Sequence, residues 1–563
     1  MTTFPERLRS LHSHDPERVA VYLQFSGRED LPLTYERLLR GAGAYARALE
    51  MAGIQPGEVT VLILQHGEDL IYSFWGAILH GAIPSIMPFL TEKLSPERYR
   101  ADLSALISVT KPAAIVTYPE FETEVRGGLQ EGDSVRSVIV TDQVVSQPDI
   151  DFVSLKGFQR KPEDIVLLQH SSGTTGLQKG VALSHQAVFN QLNSYGKSLS
   201  LTESDVIVTW LPLYHDMGLI AGFLMPILSG TPVAIMSPFD WVRAPYKLLQ
   251  SISKYRGTLT WLPNFAYNFC AQKIRDRHME DVNLSSLRAV INCSEPVRWE
   301  SHVAFYERFK DYGLKIEALQ TSYAMAENVF GVTQSRLGRL PVVEEIDRDA
   351  FMVQRVAESP SDGRPSMKMM SSGQPLESVK VKVIDENGNS VPERVIGELA
   401  LQSDCMLTGY FNRPDITEKA FKDGWYLTGD YGYISGGEVF VSGRKKDMII
   451  VGGKNIYPQD LESLTYEVPG VHAGRSVAFG MFDEAQGTEE VVIIAEGDSE
   501  DANEQQKIAD AIRLHVTKNS AIALRYVKVV GPRWILKTSS GKTARSANKE
   551  KFLNELQKTV GME

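Results

Sequence analysis

Short apolar runs alternate with stretches of helical period along the first third of the chain, and this alternation limits the possible folds more than any other feature. Residues 33–53 place Leu38, Ala42, Tyr45, Leu49 and Ala52 at spacings of four and three, one face of a helix, with Gly53 as its stop. Residues 59–64 are β-rich, residues 77–87 and 113–116 add strand signals, and residues 95–109 read as helix between them. Strands alternating with helices build α/β layers around largely parallel sheets. With 563 residues, 43% of them apolar, the chain can fill roughly three or four domain-sized units.

The formal charge of −11 argues against a broad nucleic-acid footprint. Cys270, Cys293 and Cys405 are odd in number and widely spaced, which fits neither a disulfide framework nor a zinc site and suits a reducing compartment. Residues 71–90 carry no charge, but Pro84 and Pro88 would break a spanning helix, so a buried helix followed by a strand is expected there. Residues 1–10 are polar and lack the apolar region of a signal peptide. The expectation is a soluble, cytoplasmic chain without stable membrane insertion.

Between the apolar runs 165–168 and 181–185, both expected as strands, lies Ser171-Ser172-Gly173-Thr174-Thr175-Gly176-Leu177-Gln178-Lys179-Gly180. Glycines let backbone N–H groups turn toward a ligand, hydroxyls add donors and the lysine adds a point charge. This is the chemistry of a phosphate cradle; a plain Gly/Thr hairpin loop is the alternative. It is not a Walker loop, because Gln178 stands where that pattern needs glycine.

Further along, Trp210-Leu211-Pro212-Leu213-Tyr214-His215-Asp216-Met217-Gly218 sets a histidine between an aromatic residue and an acid, either a site or a structural residue. The apolar stretches 223–228, 233–236 and 259–269 are core or the wall of a greasy pocket, core being the better reading on composition. A strand-like run at 290–292 leads into Cys293-Ser294-Glu295-Pro296, and Ser322-Tyr323-Ala324 precedes Glu327, a candidate magnesium ligand if it lies near a phosphate cradle. Residues 334–372 are charged and polar, either a disordered loop or a functional insertion. Gly443-Arg444-Lys445-Lys446-Asp447 is a sharply polar point between two β runs, read as a hinge to a second, smaller domain. In that domain 461–467 and 505–518 look helical, and 476–480 and 490–495 look like strands. The tail Lys537-Thr538-Ser539-Ser540-Gly541-Lys542-Thr543 reads as a mobile loop bearing a lysine, Leu536 occupying the first Walker glycine position.

Taken in order, Ser172 to Gly180, Tyr323 to Glu327, Tyr426 to Asp430, Gly443-Arg444 and Lys537 to Lys542 resemble the motifs of the adenylate-forming superfamily of acyl-CoA synthetases, luciferases and adenylation domains, over nearly the whole chain. Within it, Leu211 to Ile220, Pro263-Asn264-Phe265-Ala266-Tyr267 and Gly453 to Glu462 are most similar to fatty acyl-AMP ligases. The resemblance implies an α/β fold with a large N-terminal domain of layered subdomains (1–443) and a small α+β C-terminal lid (444–563). Residues 334–372 are then placed to be the ligase-specific insertion that restrains the lid and disfavours CoA. Gln178 and Leu536 replace usual prolines, and Cys293 and Ala324 stand where glycine is commoner.

The implied reaction is carboxylate plus ATP to acyl-AMP and pyrophosphate, then transfer of the acyl group to a thiol, with Mg²⁺ as the metal. The resemblance assigns Ser171, Ser172, Gly173, Thr174, Thr175, Gly176 and Lys179 to the β and γ phosphates, and Ser294, Glu295, Pro296, Ser322, Tyr323 and Ala324 to the nucleotide, Tyr323 stacking on adenine. Asp430 would accept bonds from the ribose hydroxyls, Arg444 would contact ribose or phosphate, and Glu327 would hold magnesium. Lys542 would drive adenylation, Lys446 would be the hinge, and His215 would stand at the mouth of an acyl tunnel lined by Met217, Phe265 and Phe269. The partners implied are a fatty acid and a phosphopantetheinylated acyl carrier protein, or CoA in the synthetase alternative. A nucleotide-binding regulator without ligase activity would need neither Lys542 nor Glu327.

Overall fold

In a computed structural model of the chain, residues 2–89, 96–145, 151–171, 179–451, 454–483, 488–520, 522, 524–538 and 541–560 are described. Among them a nine-stranded and a seven-stranded sheet make the bulk of the large domain, joined by a five-stranded sheet. Most neighbouring strands of the two large sheets pair parallel, as the alternation predicts, while Lys179–Ser184 and Gly331–Gln334 run antiparallel to their neighbours. Val59–Ile63, Ile83–Ile86, Ala114–Thr117, Val233–Met236, Leu259–Leu262 and Ala289–Asn292 are each buried along their whole length. Mostly apolar runs without polar alternation are what parallel strands require when other elements cover both faces. One apolar cluster runs from Phe4 to Val439 and ties most of this domain together.

Several local expectations shift. The helical face read at 33–53 starts later: Leu31–Thr34 is a strand, and Thr34 Oγ1 accepts the Arg37 N–H at 3.2 Å to cap the helix Tyr35–Met51. Residues 77–80 belong to the helix Glu68–His80 and not to a strand; Gly81, left-handed at φ 89°, ends that helix before Ile83–Ile86 begins. His185 is likewise the first residue of a helix capped by Ser184. Among the described residues no helix is long and apolar enough to cross a membrane.

The small domain has a core of its own. Val471–Asp483, Thr488–Gly497 and Leu524–Val530 form a three-stranded sheet. Its alternating side chains feed two clusters, Ala478, Val491 and Ile493 with Leu461 and Ile512 on one face, Val477, Phe479 and Val492 with Phe552 on the other. Arg545 ties this domain to the chain entering it: its guanidinium meets Asp447 at 3.1 Å and Glu462 at 2.6 Å, and its Nε–H donates to the Ala478 carbonyl at 2.8 Å. Arg545→Leu leaves two carboxylates facing an apolar group and should cost the small domain about 3 kcal/mol. Urea unfolding followed by a probe in that domain should show an earlier transition, and an unmoved midpoint would dismiss the role given to this network.

The polar segment is not structureless. Val343–Asp347 pairs antiparallel with Ser366–Met370, and a short π-helical turn, Ala350–Gln354, lies between them. Phe351 and Ile346 are buried with Tyr431, Tyr433 and Phe440 of the large domain and Tyr457 of the small one. Arg348 donates to the Asn519 carbonyl, Arg355 to Asn455 Oδ1 at 3.3 Å, and the Asn455 side chain to the Met352 carbonyl at 3.2 Å. The segment thus touches both domains.

Candidate active site

Ile165–Ser171 and Lys179–Ser184 pair antiparallel with Ser171 opposite Lys179, so the glycine- and threonine-rich stretch joins two neighbouring strands. That differs from a Walker loop, which runs from a strand into a helix. Ser172, Gly173, Thr174, Thr175 and Gly176, with Leu177 and Gln178, lie outside the described residues, as does the side chain of Ser171. Lys179 is described: its ammonium sits 4.9 Å over the Tyr410 ring. The Tyr410 hydroxyl donates to Glu327 Oε1 at 2.9 Å and lies 3.0 Å from the Tyr426 hydroxyl. Lys179, Tyr410, Tyr426 and Glu327 therefore form one contiguous group.

The turn after the strand Leu319–Ala324 places Glu327. It is a tight one: Val329, a β-branched residue, is held at φ 62°, a conformation such residues rarely adopt. Burial raises the pKa of Glu327 despite the Tyr410 hydroxyl that favours its charge. Among the described residues no group of three or more His, Cys, Asp or Glu is arranged to hold a metal. A single carboxylate such as Glu327 would suit magnesium, which takes one or two carboxylates and fills its other positions with phosphate oxygens and water.

Asp430 and Arg444 are cross-strand partners, with Arg444 Nε 3.8 Å from Asp430 Oδ1. The Tyr323 hydroxyl donates to Asp430 Oδ2 at 2.5 Å. Burial raises the Asp430 pKa against the opposing charge of Arg444. Ser322 is spent inside the sheet, its hydroxyl donating to the Thr333 carbonyl at 2.7 Å, while Ala324 ends the same strand half-buried. Lys446 lies in the single turn Lys445–Asp447 between the strands Glu438–Arg444 and Ile449–Val451; burial, reinforced by the charge of Arg444, lowers its pKa to about 8.

His215 and Asp216 sit at the head of the π-helix Met217–Leu224, with Nδ1 of the histidine 2.6 Å from Asp216 Oδ1. The chain there is tightly folded: a Cβ at Gly218 would lie 2.2 Å from the Pro212 carbonyl oxygen, so only glycine fits. Burial disfavours the Asp216 carboxylate, but His215, Lys542 and the Met217 N–H outweigh it and hold its pKa below the ordinary value. Met217 is buried with its sulfur 3.8 Å from Ser294 Oγ, and Ser294 is itself left-handed at φ 71°. Glu295 accepts the Phe265 N–H at 2.9 Å, and Pro296 follows half-buried. Phe265 lies edge-on to Trp210 and Trp241, and Phe269 packs on Trp241 at 5.4 Å.

The small domain reaches into this group through its lysine loop, which is a closed hairpin: Thr538 N–H donates to the Lys542 carbonyl at 2.7 Å, and Lys537 bridges to Thr543. The Lys537 ammonium lies 5.8 Å from the Phe265 ring centre. Burial lowers the Lys542 pKa, Asp216 and Glu295 oppose that, and Arg444 adds to it. Arg298 fastens the two domains beside the hairpin, donating to Asp460 at 2.7 Å and to the Gln459 carbonyl at 3.1 Å. Residues drawn from the middle and the end of the chain thus converge on one buried, charged cleft. Sequence reading passed over Tyr410, Asp216, Trp210 and Trp241; Asp216 had a signal in its adjacency to His215, whereas Tyr410 had none.

Two parallel-sheet subdomains, a small lid and this cleft at their junction define the architecture of an adenylate-forming enzyme. The family model described as AMP-binding enzyme matches residues 9–411, and the chain belongs to that family. Its relatives include the medium-chain-fatty-acid–[acyl-carrier-protein] ligase JamA of Moorena producens, 29% identical over 573 residues covering 96% of this chain and 93% of that one. The long-chain-fatty-acid–AMP ligase FadD26 of Mycobacterium tuberculosis is 27% identical, over 93% of this chain and 92% of its own. A solved structure from a study of fatty acyl-adenylate ligases of E. coli and L. pneumophila superposes with a TM-score of 0.91 at 27% identity, covering 99% of this chain and 98% of that one.

Proposed function

We propose that this chain activates a fatty acid with ATP to acyl-AMP, releasing pyrophosphate, and then passes the acyl group to the phosphopantetheine thiol of an acyl carrier protein. The observation that carries this reading is Lys542, delivered by the small domain into range of Asp216, Arg444 and Glu295. A nucleotide-binding regulator would have no use for a lysine presented there. The names of JamA and FadD26 add support for the acid and, in JamA, for the carrier.

In-line attack of a carboxylate on the α-phosphate needs positioning and charge neutralisation more than covalent help. Lys542 offsets charge on the attacking carboxylate and the α-phosphate oxygens. His215, held by Asp216, orients at the mouth of the acyl site, where Met217, Phe265 and Phe269 line the wall. Lys179 and the loop before it retain the β and γ phosphates. Asp430 receives the ribose, Arg444 reaches ribose or phosphate, and Tyr323 and residues 294–296 flank the adenine. Glu327 would hold magnesium, which would supply charge neutralisation at the phosphates. Lys446 is the pivot about which the lid turns for thiol transfer.

The direct test incubates purified protein with ATP and a panel of fatty acids, with CoA or a phosphopantetheinylated carrier, and follows acyl-AMP, acyl-CoA and acyl-carrier product. Absence of acyl-AMP with every acid would overturn the proposal. Glu327→Gln keeps the side-chain shape and removes the charge; it should raise the magnesium concentration needed for half-maximal adenylation and slow the step without unfolding the chain. An unchanged magnesium titration would remove Glu327 from this role.

A further inference from the structure

Trp210 and Trp241 are stacked face to face, ring centres 3.6 Å apart and planes 7° from parallel. Their exposures are 4% and 0%. Neither indole N–H has a hydrogen-bond partner among the described residues. Elsewhere the chain does provide for its indoles: Trp261 donates to the Tyr195 hydroxyl at 2.9 Å and Trp534 to Glu555 at 3.0 Å. Trp75 is also unpartnered, but it is enclosed by Phe4, Phe74 and Phe223. The stacked pair differs in its place. Phe265 borders both rings, and that same Phe265 bonds Glu295 through its N–H and faces Gly541 and Lys537 of the lysine hairpin. Two buried donors with no partner among the described residues therefore lie one side chain away from the lysine hairpin, on the apolar side of the cleft.

Buried donors are normally satisfied by protein or ordered water, and one without a partner beside a substrate site is placed to take an acceptor from the substrate. An unsubstituted alkyl tail cannot supply one. We propose that Trp210 and Trp241 are specificity-determining residues that favour acyl groups carrying a hydrogen-bond-accepting oxygen in the tail, a hydroxy or oxo acid, over the unsubstituted acid of the same length. The inference rests on the acid-activating function proposed above. Its physical basis is asymmetric: the oxygenated tail pairs a donor that the plain tail leaves buried and unpaired, and sites built to bond a substrate oxygen reject analogues that lack it far more strongly than they sense a missing methylene.

The experiment measures kcat/KM for acyl-AMP formation with pairs of equal-length acids, plain and bearing a hydroxyl or keto group early in the chain, midway, or at its end. The wild-type protein should prefer the oxygenated acid at one position by at least about tenfold. Trp210→Phe and Trp241→Phe keep an aromatic ring and delete one donor each. In at least one of them the preference should fall toward unity. A wild-type enzyme that adenylates plain and oxygenated acids alike at every position overturns this inference and leaves the acid-activating function standing, and it does so even if neither variant folds. A preference that survives in both variants overturns the assignment to these two indoles. No acyl-AMP from any acid overturns the function and the inference together.

Discussion

Lys542→Ala should lower acyl-AMP formation by at least about a hundredfold while the chain remains folded. A positioned charge facing a developing anion is worth roughly 3 kcal/mol or more in a water-poor site, because neither bulk water nor a mobile side chain can replace it at the moment of reaction. The electrostatics here fit that condition: burial lowers the pKa of the lysine, and the charges of Asp216 and Glu295 counter that shift. Substitution to alanine should spare folding, since the hairpin is closed by backbone bonds, Thr538 N–H to the Lys542 carbonyl and Gly541 N–H to the Thr538 carbonyl at 2.9 Å. The measurement is pyrophosphate release with a saturating fatty acid. Release near the wild-type rate would show that the charge is not used. Lys542→Arg separates charge from reach: partial activity there would assign the effect to the cation.

The second large effect concerns the thiol acceptor. Replacing residues 348–365 with a two-residue Asn-Gly turn should convert the protein into one that makes acyl-CoA, with acyl-AMP formation retained. The cut is one the structure tolerates at its ends, because Asp347 is paired with Ser366 and the Arg348 N–H already donates to the Pro365 carbonyl at 3.0 Å. The excised piece carries Phe351, Met352 and the two arginines that reach Asn455 and Asn519. If transfer to a thiol requires the small domain to turn, as proposed above, contacts that hold it over the adenylating cleft would oppose that turn. A bias of only ~3 kcal/mol would cut the thiol-accepting population about a hundredfold. A carrier protein can offset such a bias with contacts that free CoA cannot make. Arg348→Ala with Arg355→Ala keeps the Phe351 packing and should move acceptor use in the same direction by a smaller factor. An intact enzyme that already makes acyl-CoA as fast as acyl-AMP would favour the synthetase reading instead.

Both effects depend on which domain faces which, and that bears on what could be read without coordinates. Short β-branched and apolar runs were legible as strands: Val59–Ile63 and Ala289–Asn292 fall where residues 59–64 and 290–292 read as β, while 233–236 read only as core and proved to be the strand Val233–Met236. Boundaries were less legible. The apolar positions of Leu31–Thr34 and of the helix after it run together without a break in pattern, and only the Thr34 cap separates them. At residues 77–80 a helix buried all round looks like a strand, since a helix with no polar face has no helical period to show.

The sequence by itself determined the chemistry on offer and its order: a Gly/Thr loop ending in Lys179, a carboxylate at Glu327, then Asp430 and Arg444, and a lysine near the C-terminus. These are local signals, carried by residue types a few positions apart, and periodicity and turn chemistry suffice to find them. Only the tertiary structure decided which groups meet. Tyr410 comes to Glu327 from 83 residues away. Lys542 reaches Asp216 across two domains, Trp241 lies flat on Trp210 beside Phe265, and a segment that reads as a polar loop packs Phe351 against Tyr457. Such pairings are set by how the sheets stack and how the lid docks, through burial and desolvation summed over the whole chain, and no short window of sequence holds that information.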